Sequence, residues 1–445
     1  MRAPTLQPLV DELAAAIASG RLAAGDRLPP QRTLARERGL AASTVTLAYQ
    51  ALARRGLVVG ETGRGTFVRG SSRPPVPALA EPSGGYVDLA LNVPILPAQA
   101  RLLAGQLAPL WRSSAAFEQA LRPVPVEGPP AARAVAARFL STPGGHIGPA
   151  HIVFTNTAKQ GLAAIVAALL PTGGRLACDA LTYPVLKAIA AARPDVELVP
   201  LAVDEAGTSP DALLAAHARR RLDGVYLQPV LHNPTGVTMP ESRRLALARV
   251  LRRLDIWAID DAVYAFLAPE ARRLAPLAPE RVVVVDSFSK RIAPGLSVGV
   301  IVAPPALRGP IVAAVRAAAA GPGAFALDAC TRWMADGTAA ALARAKCRDA
   351  VQRQRILRRA LGGLQVQSDP RAYHAWITLP AGWRADAFET AAAGEGVAVV
   401  RAAAFAVREA DAPQAVRVAL ASPTLETLRA ALETLARLAR TAPAR

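Results

Sequence analysis

The chain has 445 residues, of which 52% are hydrophobic, and its 52 lysines and arginines against 34 acids give a net charge of +18. That length accommodates two or more domains with a large core, and the positive surplus favours polyanionic partners, nucleic acid first. Three widely spaced cysteines (Cys178, Cys330, Cys347) give no sign of a disulfide framework or a metal site, and no apolar run is long enough to span a membrane, so a cytoplasmic protein is expected.

Leu6, Val10, Leu13 and Ile17 recur at helical spacing, and Gly20 closes that helix. A second helix follows Pro29-Pro30, carries Leu34 and ends at Gly39. Ser43 reads as the N-cap of a third, Thr44 to Arg55, with Val45, Ala48, Tyr49 and Leu52 on its inward face. Short helix, tight turn and hydrophobic helix predict a helix-turn-helix. Leu57-Val58-Val59 and Thr66-Phe67-Val68 then flank Glu61-Thr62-Gly63-Arg64-Gly65, a hairpin with an arginine at its tip. Such a wing places Arg64 in a minor groove while the third helix offers Ser43, Thr44 and Thr46 to the major groove of a double-stranded operator. Residues 1–69 hold ten arginines against five acids (10 − 5 = +5), a surplus suited to that role.

Ile17-Ala-Ser-Gly-Arg-Leu22, Gly25-Asp-Arg-Leu-Pro29, Gln31-Arg32-Thr-Leu-Ala35, Gly56-Leu57 and Gly63-Arg64-Gly65-Thr66-Phe67-Val68 resemble the winged-helix domain of GntR-type transcriptional regulators. The resemblance implies DNA contacts from Arg32 and Thr44, and a wing built from Arg64, Gly65 and Thr66. Pro30 and Ala42 depart from that pattern, where the family has a Ser or Thr and an arginine.

Residues 70–85 are rich in Pro, Gly and Ser without apolar periodicity and read as a linker. From Tyr86 onward strands and helices alternate, as in an α/β domain built on a mainly parallel sheet. The strand candidates are Ile152 to Phe154, Arg175 to Cys178, Gly224 to Leu227, Ile256 to Ile259, Arg281 to Asp286 and Ser297 to Val302. A smaller α+β part is expected from about 325 to 445.

Residues with chemistry sit just after these strands. Thr155-Asn-Thr157-Ala158-Lys159-Gln160 opens a helix whose free amides and dipole suit a phosphate, although an ordinary capped helix reads the same way. Tyr183 is a stacking aromatic or a core residue, and His232-Asn233-Pro234-Thr235-Gly236 is either a cofactor-facing turn or plain turn chemistry. Asp261 and Tyr264 leave a hydrophobic strand, where a carboxylate needs a cationic partner. Val282 to Asp286 runs into Ser287-Phe288-Ser289-Lys290-Arg291. Lysine is scarce here (Lys159, Lys187, Lys290, Lys346), and arginine cannot replace a lysine whose amine must attack a carbonyl, so Lys290 is the candidate for a Schiff base with pyridoxal phosphate (PLP). Arg417 lies in a late strand, suited to gripping a carboxylate or to an internal ion pair.

This ordered set resembles fold-type I PLP enzymes, the aspartate aminotransferase-like group, over roughly residues 86–440. The resemblance implies Lys290 as the Schiff-base lysine, Asp261 at the pyridine nitrogen, and Tyr264 and Asn233 at the phenolic oxygen. Tyr183 would stack on the ring, Thr157, Ala158, Lys159 and Ser287 would form the phosphate cup, and Ser289 is a further cofactor-binding candidate. Arg417 would hold an α-carboxylate. Ser297 stands where the group keeps a phosphate-binding arginine and Pro123 where a tyrosine crosses the dimer; Arg291 and Lys159 are the candidates to replace the lost charge. A GntR-like head on such a domain resembles the MocR subfamily. That resemblance implies a head-to-tail homodimeric regulator that senses an amino acid, an amine or PLP; an active aminotransferase with an accessory head and a cofactor-free regulator are the alternatives.

Overall fold

The computed structural model describes residues 6–18, 21–22, 26–54, 57–61, 65–68, 86–142 and 144–441. The expected linker, Gly20, Gly63 and Arg64 therefore lie outside the described residues. The chain divides into two compact units, Met1–Pro77 and Ala78–Arg445.

The first unit holds the helices Leu6–Ala18, Gln31–Arg38 and Ala42–Arg54 and an antiparallel pair, Val58–Glu61 with Gly65–Val68. Gly39 ends the second helix in the left-handed region, where glycine carries no Cβ penalty. The third helix starts at Ala42, so Ser43 lies inside its first turn and is not the N-cap, a correction of two residues. Leu9, Val10 and Leu13 pack against Val45, Ala48, Tyr49 and Leu52, the helical stripe expected from their spacing. The Tyr49 hydroxyl donates to Pro29 O at 2.7 Å and ties the turn to the third helix. Leu52 is fully buried. Leu52→Ala should therefore cost about 2–5 kcal/mol. In a unit this small that loss should lower the melting temperature of the head and its DNA retention in a gel shift, while leaving the second unit's melting transition in place.

The second unit is built on a seven-stranded sheet. In spatial order its strands are Ile152–Thr155, Gly299–Val302, Val282–Ser287, Trp257–Asp261, Gly224–Leu227, Gly174–Asp179 and Val196–Leu201. Gly299–Val302 alone runs antiparallel to its neighbours. The central strands are near-continuous apolar runs because both faces are covered by helices. Burying a valine such as Val283 or Val285 contributes about 1.5–3 kcal/mol each. The Val196–Leu201 strand has no counterpart in the sequence expectation; it carries Glu197 and Pro200, which an edge position tolerates. Ser297 sits before its strand, not in it, in the left-handed region at φ 48°.

A second, four-stranded sheet has the order Gln365–Gln367, His374–Thr378, Ala415–Ala419 and Val400–Arg401. Its core takes in Leu89 from far upstream, and Val87–Asp88 pairs with Val397–Ala398. The helix Ala324–Ala335, expected in the smaller part, packs instead into the large-sheet core through Leu327, Cys330 and Trp333 beside Phe154 and Phe288. No helix among the described residues is long and apolar enough to cross a membrane.

Candidate cofactor site and DNA-binding face

The carboxyl ends of the central strands bring the candidate residues together, as expected in open α/β sheets. Trp257–Asp261 delivers Asp261, and the neighbouring Val282–Ser287 strand runs into a four-residue helix, Phe288–Arg291, so Lys290 sits on a helical turn and not in a loop. The Lys290 amine donates to Asn92 O. Burial, followed by the charges of Lys159 and Arg417, lowers its pKa to about 8. Lys346, with no exposed surface, anchors the turn from beneath, its ammonium donating to Lys290 O at 3.0 Å and to Ile292 O at 2.5 Å.

Asp261 is buried among neutral donors. The Tyr226 hydroxyl reaches it at 2.6 Å, the Gln228 amide at 3.3 Å and the Val263 N–H at 3.2 Å. Among the described residues no arginine, lysine or histidine lies within ion-pair distance of it. Burial pushes its pKa up to about 6 against the pull of Tyr226 and Val263. Around it, Asn92 donates its side-chain amide to the Tyr264 hydroxyl at 3.1 Å, and the His374 ring packs against Tyr264 at a tilt of 54°, centroids 5.3 Å apart. Burial raises the pKa of Tyr183, and the nearby carboxyl of Asp261 and hydroxyl of Tyr264 push the same way. The Asn233 side-chain oxygen is buried without a hydrogen-bond partner.

Thr157 caps the helix Ala158–Leu169, its hydroxyl accepting from Gln160 N at 3.1 Å and leaving the first helical amides without intrahelical partners. A Cβ at Gly299 would stand 2.4 Å from Thr155 Oγ1 and 2.7 Å from the Ala158 nitrogen, so glycine alone lets the strand pass behind this turn. The Ser287 hydroxyl donates to Ser289 Oγ at 2.8 Å and accepts from Ser289 N at 3.0 Å. Lys159 is exposed at this end of the helix. Arg291 is the correction: it is buried in an ion pair with Asp286 and lies over the Phe266 ring at 5.3 Å, so it supplies no charge to the cup. Arg417 is buried, donates one N–H to Ala90 O at 2.6 Å, lies over Phe405 at 5.4 Å, and keeps its Nε without a partner.

These residues suit PLP. An acid without a cation, an orphaned amide oxygen, an arginine with a free N–H and a depressed lysine pKa each lack what that cofactor or an amino acid on it would bring. Asn92, Tyr226, Gln228 and Lys346 were not singled out in the sequence. Tyr226 and Gln228 follow from alternation along the strand beside Asp261, whereas Asn92 carries no local signal.

On the first unit, Arg32 and Ser43 are exposed and Thr44 is half-buried, all on the second and third helices. Thr46 is different: its hydroxyl lies 2.8 Å from Gln31 Oε1 and 2.9 Å from Ala42 O, and it braces the two helices against each other. Gly65, at φ 123°, lies against the Arg27 guanidinium, and Thr66 O accepts from Leu28 N at 2.8 Å.

Residues 86–435 match the family "Aminotransferase class I and II", and residues 6–68 match "Bacterial regulatory proteins, gntR family". The chain is 27% identical to the uncharacterized HTH-type transcriptional regulator YdeF of Bacillus subtilis, covering 98% of this chain and 94% of that one. It is also 27% identical to the HTH-type pyridoxine biosynthesis transcriptional regulator PdxR of Corynebacterium glutamicum, over 68% of this chain and 67% of that protein. Among solved structures, an archaeal alanine:glyoxylate aminotransferase superposes with a TM-score of 0.73 at 20% identity, over 80% of this chain and 91% of the other, a likeness of fold. A GntR helix-turn-helix domain joined to an aminotransferase class I and II domain places this chain in the MocR subfamily of GntR-type transcriptional regulators.

Proposed function

We propose that this regulator binds PLP through Lys290 and senses an amino acid or amine at the same site, changing its grip on operator DNA. The observation that carries it is Asp261: a buried carboxyl held by neutral donors, without a cation, on the strand beside the one that delivers Lys290. PLP, when bound, supplies an aldehyde that captures amines and a protonated ring that withdraws electrons. Asp261 would hold the proton on the ring nitrogen, Tyr264 and Asn233 would bond the phenolic oxygen, and Tyr183 would cover the ring. Thr157, Ala158, Lys159, Ser287 and Ser289 would take the phosphate on amides and hydroxyls, with Lys159 the remaining charge there. Arg417 would take the α-carboxylate of an amino acid with the N–H it has spare.

We place the protein in the cytoplasm as a head-to-tail homodimer, whose two heads would read paired half-sites through Arg32, Ser43, Thr44 and the wing of Arg64, Gly65 and Thr66. The name of PdxR, a pyridoxine biosynthesis regulator, supports a response to vitamin B6 chemistry. An effector with differential affinity for two arrangements of the dimer would shift the spacing of the heads. The test is a PLP titration of the full-length protein followed by visible absorbance, then amino acids and amines added while retention of its own promoter DNA is measured. A visible band and a ligand-dependent change in DNA affinity are expected; steady turnover of amino donor and keto acid with DNA affinity unmoved would replace the sensor with an enzyme.

Arg417→Ala should weaken the response to carboxylate-bearing effectors about 30-fold or more, the loss of a buried charge-assisted pair. PLP capture should persist. A spectral titration with an amino acid that matches wild type would remove Arg417 from the effector site.

A further inference from the structure

The sheet face opposite Asp261 buries a second set of charges that the cofactor reading leaves unused. Alternation along Trp257–Asp261 turns Asp260 away from Asp261, and along Val282–Ser287 it puts Val282, Val284 and Asp286 on the Asp260 side. These residues floor a cavity of about 170 Å³ walled by His146, His151, Arg273, Ala275 and Arg291. Space of that size takes roughly ten water-sized groups.

Asp260, Asp286, Arg244 and Arg291 are all buried, and Arg273 is half-buried. In the cavity lining Arg273 and Arg291 balance Asp260 and Asp286 (2 − 2 = 0), and Arg244, buried outside the lining with its charge acting on Asp260, leaves the set at +1 (3 − 2 = +1), a balance that the surface pair Glu241 and Arg272 does not change. Arg291 is ion-paired to Asp286, yet its Nε has no acceptor. Neither does Arg273 Nη1. Each orphaned donor costs about 1–3 kcal/mol, and an uncompensated buried charge costs more. One negatively charged group that only accepts hydrogen bonds would offset that surplus and give the Arg273 and Arg291 donors an acceptor.

We infer that this cavity is a binding site for a small oxyanion, a short carboxylate or inorganic phosphate, held by Arg273 and Arg291. Its location makes it a route of control. Arg291 follows Lys290 and Asp260 precedes Asp261, so an anion that draws Arg291 away from Asp286 acts on the turn that positions Lys290. The coupling rests on the cofactor reading, whereas the anion site stands without it.

Calorimetric titration of the full-length protein with acetate, malonate and inorganic phosphate, in a chloride-free buffer, tests the site. Saturable binding at one site per chain is expected, and the strongest of the three tells carboxylate from phosphate. Arg273→Gln should weaken it at least tenfold, and binding should persist in protein saturated with PLP. Ala275→Phe, which fills the cavity without removing a charge, should also abolish it and serves if Arg273→Gln does not fold. No saturable heat with any of the three anions overturns the inference. So does wild-type affinity in the cavity variants, or binding abolished by saturation with PLP, which would place the anion in the cofactor cup.

Discussion

Lys290→Ala is expected to abolish covalent capture of PLP. Wild-type protein treated with PLP and borohydride should gain one pyridoxyl mass on the peptide holding Lys290, and the variant should gain none. The environment prepares the amine for this. With a pKa of about 8, roughly a tenth of it is neutral at pH 7, against about one part in three thousand for an ordinary lysine. Lys290→Arg should fail equally, because a guanidinium stays protonated. With four lysines in the chain the peptide map is unambiguous, and a pyridoxyl group on Lys159, Lys187 or Lys346 in place of Lys290 would sink the assignment.

Asp261→Asn should have two opposite effects. Without PLP, the folded carboxyl has a pKa of about 6, above its ordinary 3.8. Folding then favours the protonated acid: its contribution is fully present below about pH 4 and is lost as pH rises through about 6. The difference between the two pKa values corresponds to about 3 kcal/mol. A neutral asparagine escapes that loss, so the PLP-free variant should melt higher than wild type at pH 8 and no higher at pH 4. With PLP the order should reverse, since the variant cannot keep the ring nitrogen protonated, and its affinity should fall at least tenfold. Equal PLP affinity in the two proteins would separate Asp261 from the cofactor. The neighbouring Asp260, pushed up to about 7 by burial, slopes in the same direction in both proteins, so the comparison is made between variants and not along one pH curve.

The parts of this site that were legible in the sequence are those tied to a strand end. Val282 to Asp286 and Ile256 to Ile259 announce buried strands, and Lys290, Asp261 and Tyr264 follow within a few residues of each. The helix-turn-helix was legible for the same reason, through the stripe of Val45, Ala48, Tyr49 and Leu52. Arg291 does not replace the charge missing at Ser297, because the short helix turns successive side chains apart and Asp286 draws the guanidinium to the other face. Asn92 was illegible: it meets Lys290 across 198 positions, and nothing in its own neighbourhood marks it. The edge strand Val196–Leu201 hid behind its proline.

Lys346 carries a wider consequence. In a chain with 48 arginines (52 − 4 = 48), lysine persists where an amine must dock end-on against crowded backbone carbonyls. Lys346 does so beneath Lys290, and Lys187 does the same against Ala403 O and Ala404 O, each at 3.1 Å. Of the four lysines only Lys159 stands openly in solvent, so a fluorophore attached to it would sit at the rim of the phosphate turn.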